Sequence, residues 1–318
     1  MPITDGQLFV ADAGASISAD NLVEIQRGTS PFSVAGTTEA IQRPLVRSFI
    51  DRQVAHAPLT KHYSINITTE LKGTADTPSA SVLPEINRLL KASGMSQTFD
   101  TNKHEYEWLA DPSSSTDRFE VDCRFEELID GNYYVAEDCN FTFTMQGSAD
   151  AVATATFSGM GSYAAPAVVS SLTAATANGG SPLLPVTEYS IAGVESGLVI
   201  RSWSISSGLT LTPRVNLADS NGYTFPPIIS RDAACTCSLE IEAVDTAVLD
   251  YFGAYAAGTP IDISLTIGDG TRAIKFELIN VTLNAPTVSQ GAPNMVTLAG
   301  AAANDATGTD SSLLITYT

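Results

Sequence analysis

The chain has 318 residues, 44% hydrophobic and 16% charged, too apolar for a disordered chain and long enough for about two domains of 100–200 residues. Its 35 acidic residues against 16 basic ones give a net charge of −19, which argues against holding nucleic acid by phosphate neutralisation, since that needs clustered Lys and Arg. No window reaches 18 unbroken apolar residues, so no helical membrane span is expected.

The charged fraction lies below the roughly 25% usual for soluble domains. The surface must therefore be rich in Ser, Thr, Ala and Gly, a composition that suits repeated subunit contacts, because charge is depleted at interface cores. The opening MPITDGQLFVADAG has neither a basic stretch nor an apolar core of the secretory kind. Synthesis in a reducing cytoplasm is expected, with Cys123, Cys139, Cys235 and Cys237 as free thiols. Cys235-Thr-Cys237 lacks a second pair for a metal and places both thiols on one strand face, as core packing.

Along the chain, Gly28–Lys61 is rich in Ser, Thr, Pro and Gly. A segment this long inside a compact domain is expected to be functional or partly stranded, here including an extended arm that reaches a neighbouring ring of an assembly. Tyr63, Ile65, Ile67, Thr69 and Leu71 then alternate with polar residues, which predicts a strand with one buried face. VLPEINRLLKASG (82–94) predicts a helix stopped by Gly94, with Glu85 near its first turn. Strands follow over His104–Trp108 and Arg118–Phe125. In the second, Arg118, Glu120, Asp122, Arg124 and Glu126 share one face, and Phe119, Val121, Cys123 and Phe125 share the other. Cys139–Phe143 leads to a turn expected at Gln146-Gly147 and a return strand ending Phe157-Ser-Gly159.

No charged residue occurs between Asp150 and Glu188, and from about Ala165 the composition becomes that of a linker, with Gly179-Gly180-Ser181-Pro182. The same order then recurs. A long segment, Arg201–Ala234, precedes a strand in which Cys235, Cys237, Leu239, Ile241 and Ala243 alternate with polar residues. A helix pattern, TAVLDYFGAYAAGT (246–259), carries Asp250 near its start and Gly258 at its stop. Strands Ile261–Ile267 and Ala273–Leu283 follow, with Ile267-Gly-Asp-Gly270 as a hairpin turn. Ile279-Asn-Val-Thr-Leu283 matches Cys139-Asn-Phe-Thr-Phe143, then Gln290-Gly291 turns into a strand ending Leu298-Ala-Gly300. The reading is a mainly β protein: two tandem domains over residues 1–165 and 188–318, joined by a linker at 166–187. Each is a sandwich or open barrel with one flanking helix.

No catalytic constellation is evident. His56, His62 and His104 lack metal spacing, and HExxH, GxSxG, Walker and GxGxxG motifs are missing from the sequence. No enzyme activity, cofactor or metal is expected. The acidic run over 105–138 reads as a solvated surface, because Asp130-Gly131-Asn132 is only a fragment of a calcium loop. The Asn-x-Thr triplets at Asn66, Asn140 and Asn280 read as polar alternation in strands.

ITTELKGTADTPSASVLPEINRLLKASGM (67–95) and GNYYVAEDCNFTFTMQGSADAVATATFSG (131–159) resemble the tail tube proteins of phages with long non-contractile tails. So do NLADSNGYTFPPIISRDAACTCSLEIEAVD (216–245), GTPIDISLTIG (258–268) and TDSSLLITYT (309–318). The resemblance covers most of residues 35–318. It implies a structural virion protein, made in the bacterial cytoplasm, whose rings stack into a tube that conducts phage DNA. The implied partners are further copies of itself, the tape-measure protein, terminator and tip proteins, and DNA in transit, with no membrane. Glu70, Glu120, Asp122, Glu126, Glu240 and Glu242 are the candidates for lining the lumen. With two tube domains per chain, three copies make a pseudo-sixfold ring; with one, six are needed. Two alternatives from the same fold are a distal or tail-tip ring protein and a capsid-decorating domain. A carbohydrate-binding adhesin is a third, but Trp108 and Trp203 lie in strand contexts rather than in exposed aromatic clusters.

Overall fold

The computed structural model describes residues 6–18, 21–25, 30–36, 38–43, 53–58, 60–74, 76–109, 119–127, 131–168, 173–175, 186–216, 218–230, 234–268, 272–291, 293–303 and 312–318. Most of the predicted linker, Arg118, Asp130 and the side chain of His56 lie outside the described residues. The fold is almost wholly antiparallel β. The first half contains β1 (Gly6–Asp12), β2 (Leu22–Val23), β3 (Phe32–Ala35), β4 (Thr38–Arg43), β5 (Gln53–Pro58), β6 (His62–Glu70), α1 (Asn87–Ala92), β7 (Met95–Asp100), β8 (Lys103–Trp108), β9 (Val121–Glu127), β10 (Asn132–Ser148), β11 (Ala151–Ser162) and β12 (Ala167–Val168). The second contains β13 (Val186–Ile191), β14 (Ile200–Ser206), β15 (Thr210–Val215), β16 (Tyr223–Ser230), β17 (Thr236–Glu242), α2 (Tyr251–Ala257), β18 (Ile261–Gly268), β19 (Ala273–Leu283), β20 (Thr287–Ser289), β21 (Met295–Ala301) and β22 (Leu313–Tyr317).

Both halves pair their strands in one order. In the first, β1 pairs with β9, β9 with β10, β10 with β11, β11 with β6 and β6 with β3. In the second, β13 pairs with β18, β18 with β19, β19 with β21, β21 with β17 and β17 with β14. The long segments expected as arms each fold into a hairpin at the same place, β4–β5 between β3 and β6 and β15–β16 between β14 and β17. Register fixes the correspondence. Gly159 faces Ile65 as Gly300 faces Cys237, so Glu70 and Glu242 occupy matching positions.

The long strand of each half bends at a bulge and passes from one sheet to the other, a standard way of turning a sandwich corner. The register of β10 against β9 shifts between Ala136 and Cys139, and Asp138 takes φ 52. Near Ile261 and Ile263 of β18, opposite Val281 and Leu278, the register of β19 shifts in the same way, and Asn280 takes φ 52. A bulge leaves an N–H without a ladder partner, and each half answers with a carboxylate from the adjacent strand. Asp122 Oδ1 accepts from Asp138 N at 3.1 Å, and Asp262 Oδ1 accepts from Asn280 N at 2.9 Å. The correspondence is therefore Asp138 with Asn280, two residues away from the Cys139–Ile279 match suggested by the Asn-x-Thr triplets. Asn140 is not on a polar face either. It is buried, and its Nδ2 donates to the carbonyls of Ala92 and Phe119.

Local differences follow from packing. The predicted Gln146-Gly147 turn is strand, and the chain turns at Ala149-Asp150. Gly147 is needed because a Cβ there would come 2.7 Å from the Trp203 indole nitrogen. The helices are shorter than predicted. α2 is preceded by Asp250, whose carboxylate caps Gly253 N, and is followed by Gly258 in the left-handed region, φ 62. α1 starts only at Asn87, so Glu85 lies before it, buried with Lys72 and close to the partly exposed Glu24. All four cysteines are free and buried, and burial pushes the Cys237 thiol up to about 11.

One apolar core continues through both halves, including Tyr63, Phe143 and Phe157 of the first and Trp203, Leu239 and Phe276 of the second. The halves also share strands. β10 pairs with β14 from Thr144 opposite Ser206 to Ser148 opposite Ser202. On the other side of the core β22 lies between β19 and β8, with Ile315 opposite both Phe276 and Tyr106.

Candidate functional site

The β10–β14 joint creates one sheet of eight strands: β3, β6, β11 and β10 from the first half, then β14, β17, β21 and β20 from the second. Residues alternate across it, apart from irregularities between Gln146 and Ser148 and between Ile200 and Ser202. Ile65, Ile67, Phe143, Phe157, Ile205, Leu239 and Leu298 enter the core. The opposite face carries Ser64, Asn66, Thr68 and Glu70 on β6; Thr154, Thr156 and Ser158 on β11; and Thr142, Thr144 and Gln146 on β10. It continues through Ser202, Ser204 and Ser206 on β14, then Ser238, Glu240 and Glu242 on β17. The result is a broad surface of short hydroxyl side chains. Many pair locally, as Thr68 Oγ1 does with Thr156 Oγ1 at 3.3 Å.

The strands of this sheet contain one Lys or Arg, Arg201. It sits at the margin, paired with Glu242 at 2.6 Å. Ser202 Oγ donates to Glu240 at 3.3 Å. Three carboxylates (Glu70, Glu240 and Glu242) against one guanidinium leave two negative charges per chain on the face. No basic cluster is available on this face to grip a polyanion, and most of its side chains are short.

The structure thus brings together three of the six acidic residues expected at a lumen. The other three are grouped elsewhere, around β9 in another sheet. Glu120 immediately precedes that strand and is half-buried. Asp122 is half-buried and engaged as the bulge cap, also accepting from Gly14 N at 2.8 Å. Glu126 is a correction to the sequence reading: it is 0% exposed. Its carboxylate pairs with Arg124 at 2.7 Å and accepts from both Thr173 N and Thr173 Oγ1, so it cannot face a channel. Alternation alone had placed it outside, but Thr173, from a distant segment, covers it.

Sequence reasoning missed the serines and threonines as the substance of this face. The available signal was Ser202-x-Ser204-x-Ser206 interleaved with Trp203 and Ile205. His104 is buried, with Nδ1 on Gln97 Nε2 at 2.8 Å and Nε2 on the Val82 carbonyl at 2.9 Å. Burial lowers the pKa of His62, which sits edge-on to Tyr223. Among the described residues no group of His, Cys, Asp and Glu is arranged to hold a metal ion, and no helix is long and apolar enough to cross a membrane.

Comparison with known families gives a match to the model described as phage tail tube protein, over residues 12–305. A search of curated proteins found no match.

Proposed function

The chain belongs to the phage tail tube protein family, and on that premise we propose that three copies close a pseudo-sixfold ring whose lumen is the small polar face. The family makes it a structural component of the virion tail that self-assembles into a tube. The finer reading has one chief support, the repetition of a single strand order in the two halves. If each half is one tube domain, over 1–165 and 188–318, each chain supplies two of six equivalent wedges. Three chains with eight strands each give a barrel of 24, beyond the roughly 16–18 strands at which membrane barrels already leave an aqueous channel.

The chemistry of the face suits a conduit for DNA in a long non-contractile tail. A wall that neutralised phosphates would hold the DNA through released counterions. A surface of hydroxyls and carboxylates repels it weakly and lets it slide. Glu70 and Glu242 match between halves, so a ring of three chains carries six such carboxylates at one level. The tape-measure protein is the natural occupant of the same lumen before DNA, with terminator and tip proteins closing the ends.

Negative-stain images of the purified protein, with a symmetry search, test the ring. Stacked rings of three chains are expected; six chains per ring would show that the second half is not a tube domain, and single rings that never stack would favour a distal ring protein. Replacing Glu70 and Glu242 with Lys tests the lumen. DNA ejection from correctly assembled tails is expected to slow, and unchanged ejection would count against a lumenal position.

A further inference from the structure

Two edges of the eight-stranded sheet are open among the described residues: β3 pairs with β6 alone, and β20 with β21 alone. Their counterparts in the opposite half are both paired, and with each other. β14 stands where β3 stands, and Thr144–Ser148 of β10 stands where β20 stands. The joint between the halves therefore displays what each open edge lacks.

The registers carry this to single residues. Met145 faces Ala155 on β11 as Val288 faces Val296 on β21. Ile205 faces Cys237 on β17 as Phe32 faces Ile65 on β6. Across the internal joint Met145 is opposite Ile205. Val288 and Phe32 are the matching pair without a joint between them. Burial agrees: Met145 is fully buried, whereas Val288 is 46% exposed and Val34, at the end of the other open edge, is 61% exposed. The direction of the main chain agrees as well. The Pro31 carbonyl accepts from Asn66 N at 2.8 Å and so points into β6, which turns the main-chain groups of Phe32 and Val34 toward the open side.

We propose that β20 of one copy pairs antiparallel with β3 of the next, with Val288 opposite Phe32 and Thr287 opposite Ser33. This rests on the reading of the two halves as equivalent wedges of a ring. The partner is a second copy of this chain, and the contact is head-to-tail, so it continues from copy to copy rather than stopping at a dimer, and the threefold rotation of the proposed ring closes it. Pro286 offers no N–H, which keeps the ladder short, and other contacts must share the load. Within the chain the β15–β16 hairpin supplies them by lying on β10 and β11. Asn221 Nδ2 donates to the Tyr163 carbonyl at 3.1 Å, and Lys61 N donates to the Asn221 carbonyl at 2.9 Å. The β4–β5 hairpin of the incoming copy is placed to lie on β20 and β21 of its neighbour in the same way.

The test is a chain carrying both Ser33→Cys and Thr287→Cys. Thr287 opposite Ser33 repeats Thr144 opposite Ser206, a pair without mutual main-chain bonds, at a Cα separation of about 4.5 Å, within disulfide range. The four native thiols are buried and compete little. Mild oxidation of assembled protein is expected to give covalent oligomers on non-reducing gels that end at three chains, and neither single variant should cross-link. Tubes seen in micrographs without any inter-chain disulfide would overturn the pairing and leave the ring reading intact. Folded monomers with neither tubes nor cross-links would overturn both. Val288→Pro is an independent check, since it sits on an exposed edge and leaves the core untouched. Its melting temperature should stay near the parent's while tubes are lost; tubes of normal length from Val288→Pro would overturn the proposal.

Discussion

Helix α1 lies against β1, β7, β9 and β10, with Leu89, Leu90 and Ala92 buried. Helix α2, at the same point of the second half, touches β19 and leaves Val248, Phe252 and Tyr255 on its segment partly exposed. The first half has a β7–β8 hairpin after its helix; the second passes from Ala257 to Ile261 with no strand between. The difference continues at the strand end before each helix. Lys72, in contact with Glu24 and 3.7 Å from Glu85, occupies the first; the half-buried Val244 occupies the second. What the halves hold in common is the pairing order, the bulge and its aspartate cap. The shared features shape the eight-stranded sheet, and the variable ones lie among the elements that cover it.

The comparison can be broken most severely at Lys72. Its side chain is 7% exposed and Glu85's 4%, so Lys72→Ala strands a buried carboxylate, at a cost of about 3–5 kcal/mol. Val244→Ala should cost well under half of that, and chemical denaturation of the two variants measures the contrast. The helices come next. Leu89→Ala empties a core position, for about 2–5 kcal/mol, whereas Phe252→Ala is expected to stay below about 1 kcal/mol in the isolated chain. A large loss at Phe252 would mean that α2 is more deeply engaged than its exposure indicates.

The shared features should respond in parallel. A Cβ at Gly159 would lie 2.5 Å from the Asn140 carbonyl oxygen and also strike the Phe141 ring; at Gly300 it would lie 2.7 Å from the Thr282 carbonyl oxygen. Either Gly→Ala change should cost about 1–3 kcal/mol. A cost at only one of them would break the equivalence of the halves. Thermal melts suffice to read it.

The smallest effect is in pH. Burial raises the Glu85 carboxyl above its ordinary value, outweighing the Glu24 N–H and the Lys72 ammonium. Unfolding then releases a proton in the window above the unfolded value. Glu85 contributes stability below that value and loses it as pH rises through the folded one. Lys72 has the same sign at alkaline pH: burial opposes its charge, but the Glu24 hydrogen bond and the neighbouring carboxylates outweigh burial and raise its pKa. Glu85→Gln should flatten the mildly acidic limb of a stability–pH profile, and a limb that does not change would remove Glu85 from that account.

Much of this fold was legible because period-2 alternation is a local signal. β19 has the predicted bounds Ala273–Leu283, and β8 differs by one residue at its start. The bulge was not legible, because Asp138 and Asn280 are marked by backbone torsion, while the matching triplets suggested a register two residues off. Nor were the β10–β14 and β8–β22 contacts, which join segments far apart in sequence. The face was half legible. Glu70, Glu240 and Glu242 follow from alternation, but whether β9 shares their sheet is a matter of topology, and Glu126 shows that alternation fails where a distant segment covers a strand.

The β22 strand has a consequence in time. Leu314 is opposite Glu107, and 314 − 107 puts them 207 positions apart in the chain. At about 5–20 residues per second, the ribosome needs roughly 10–40 s to deliver the partner that β8 awaits. Throughout that interval a nascent chain with its first half in place presents β8 as a bare edge, the kind of template that recruits other strands. Chains from one polysome would present it side by side. A fragment ending at residue 303 should accordingly be less soluble than the full chain, and adding a peptide of residues 312–318 should restore part of the loss. Translation rate across the second half then becomes a determinant of how much protein reaches the tail.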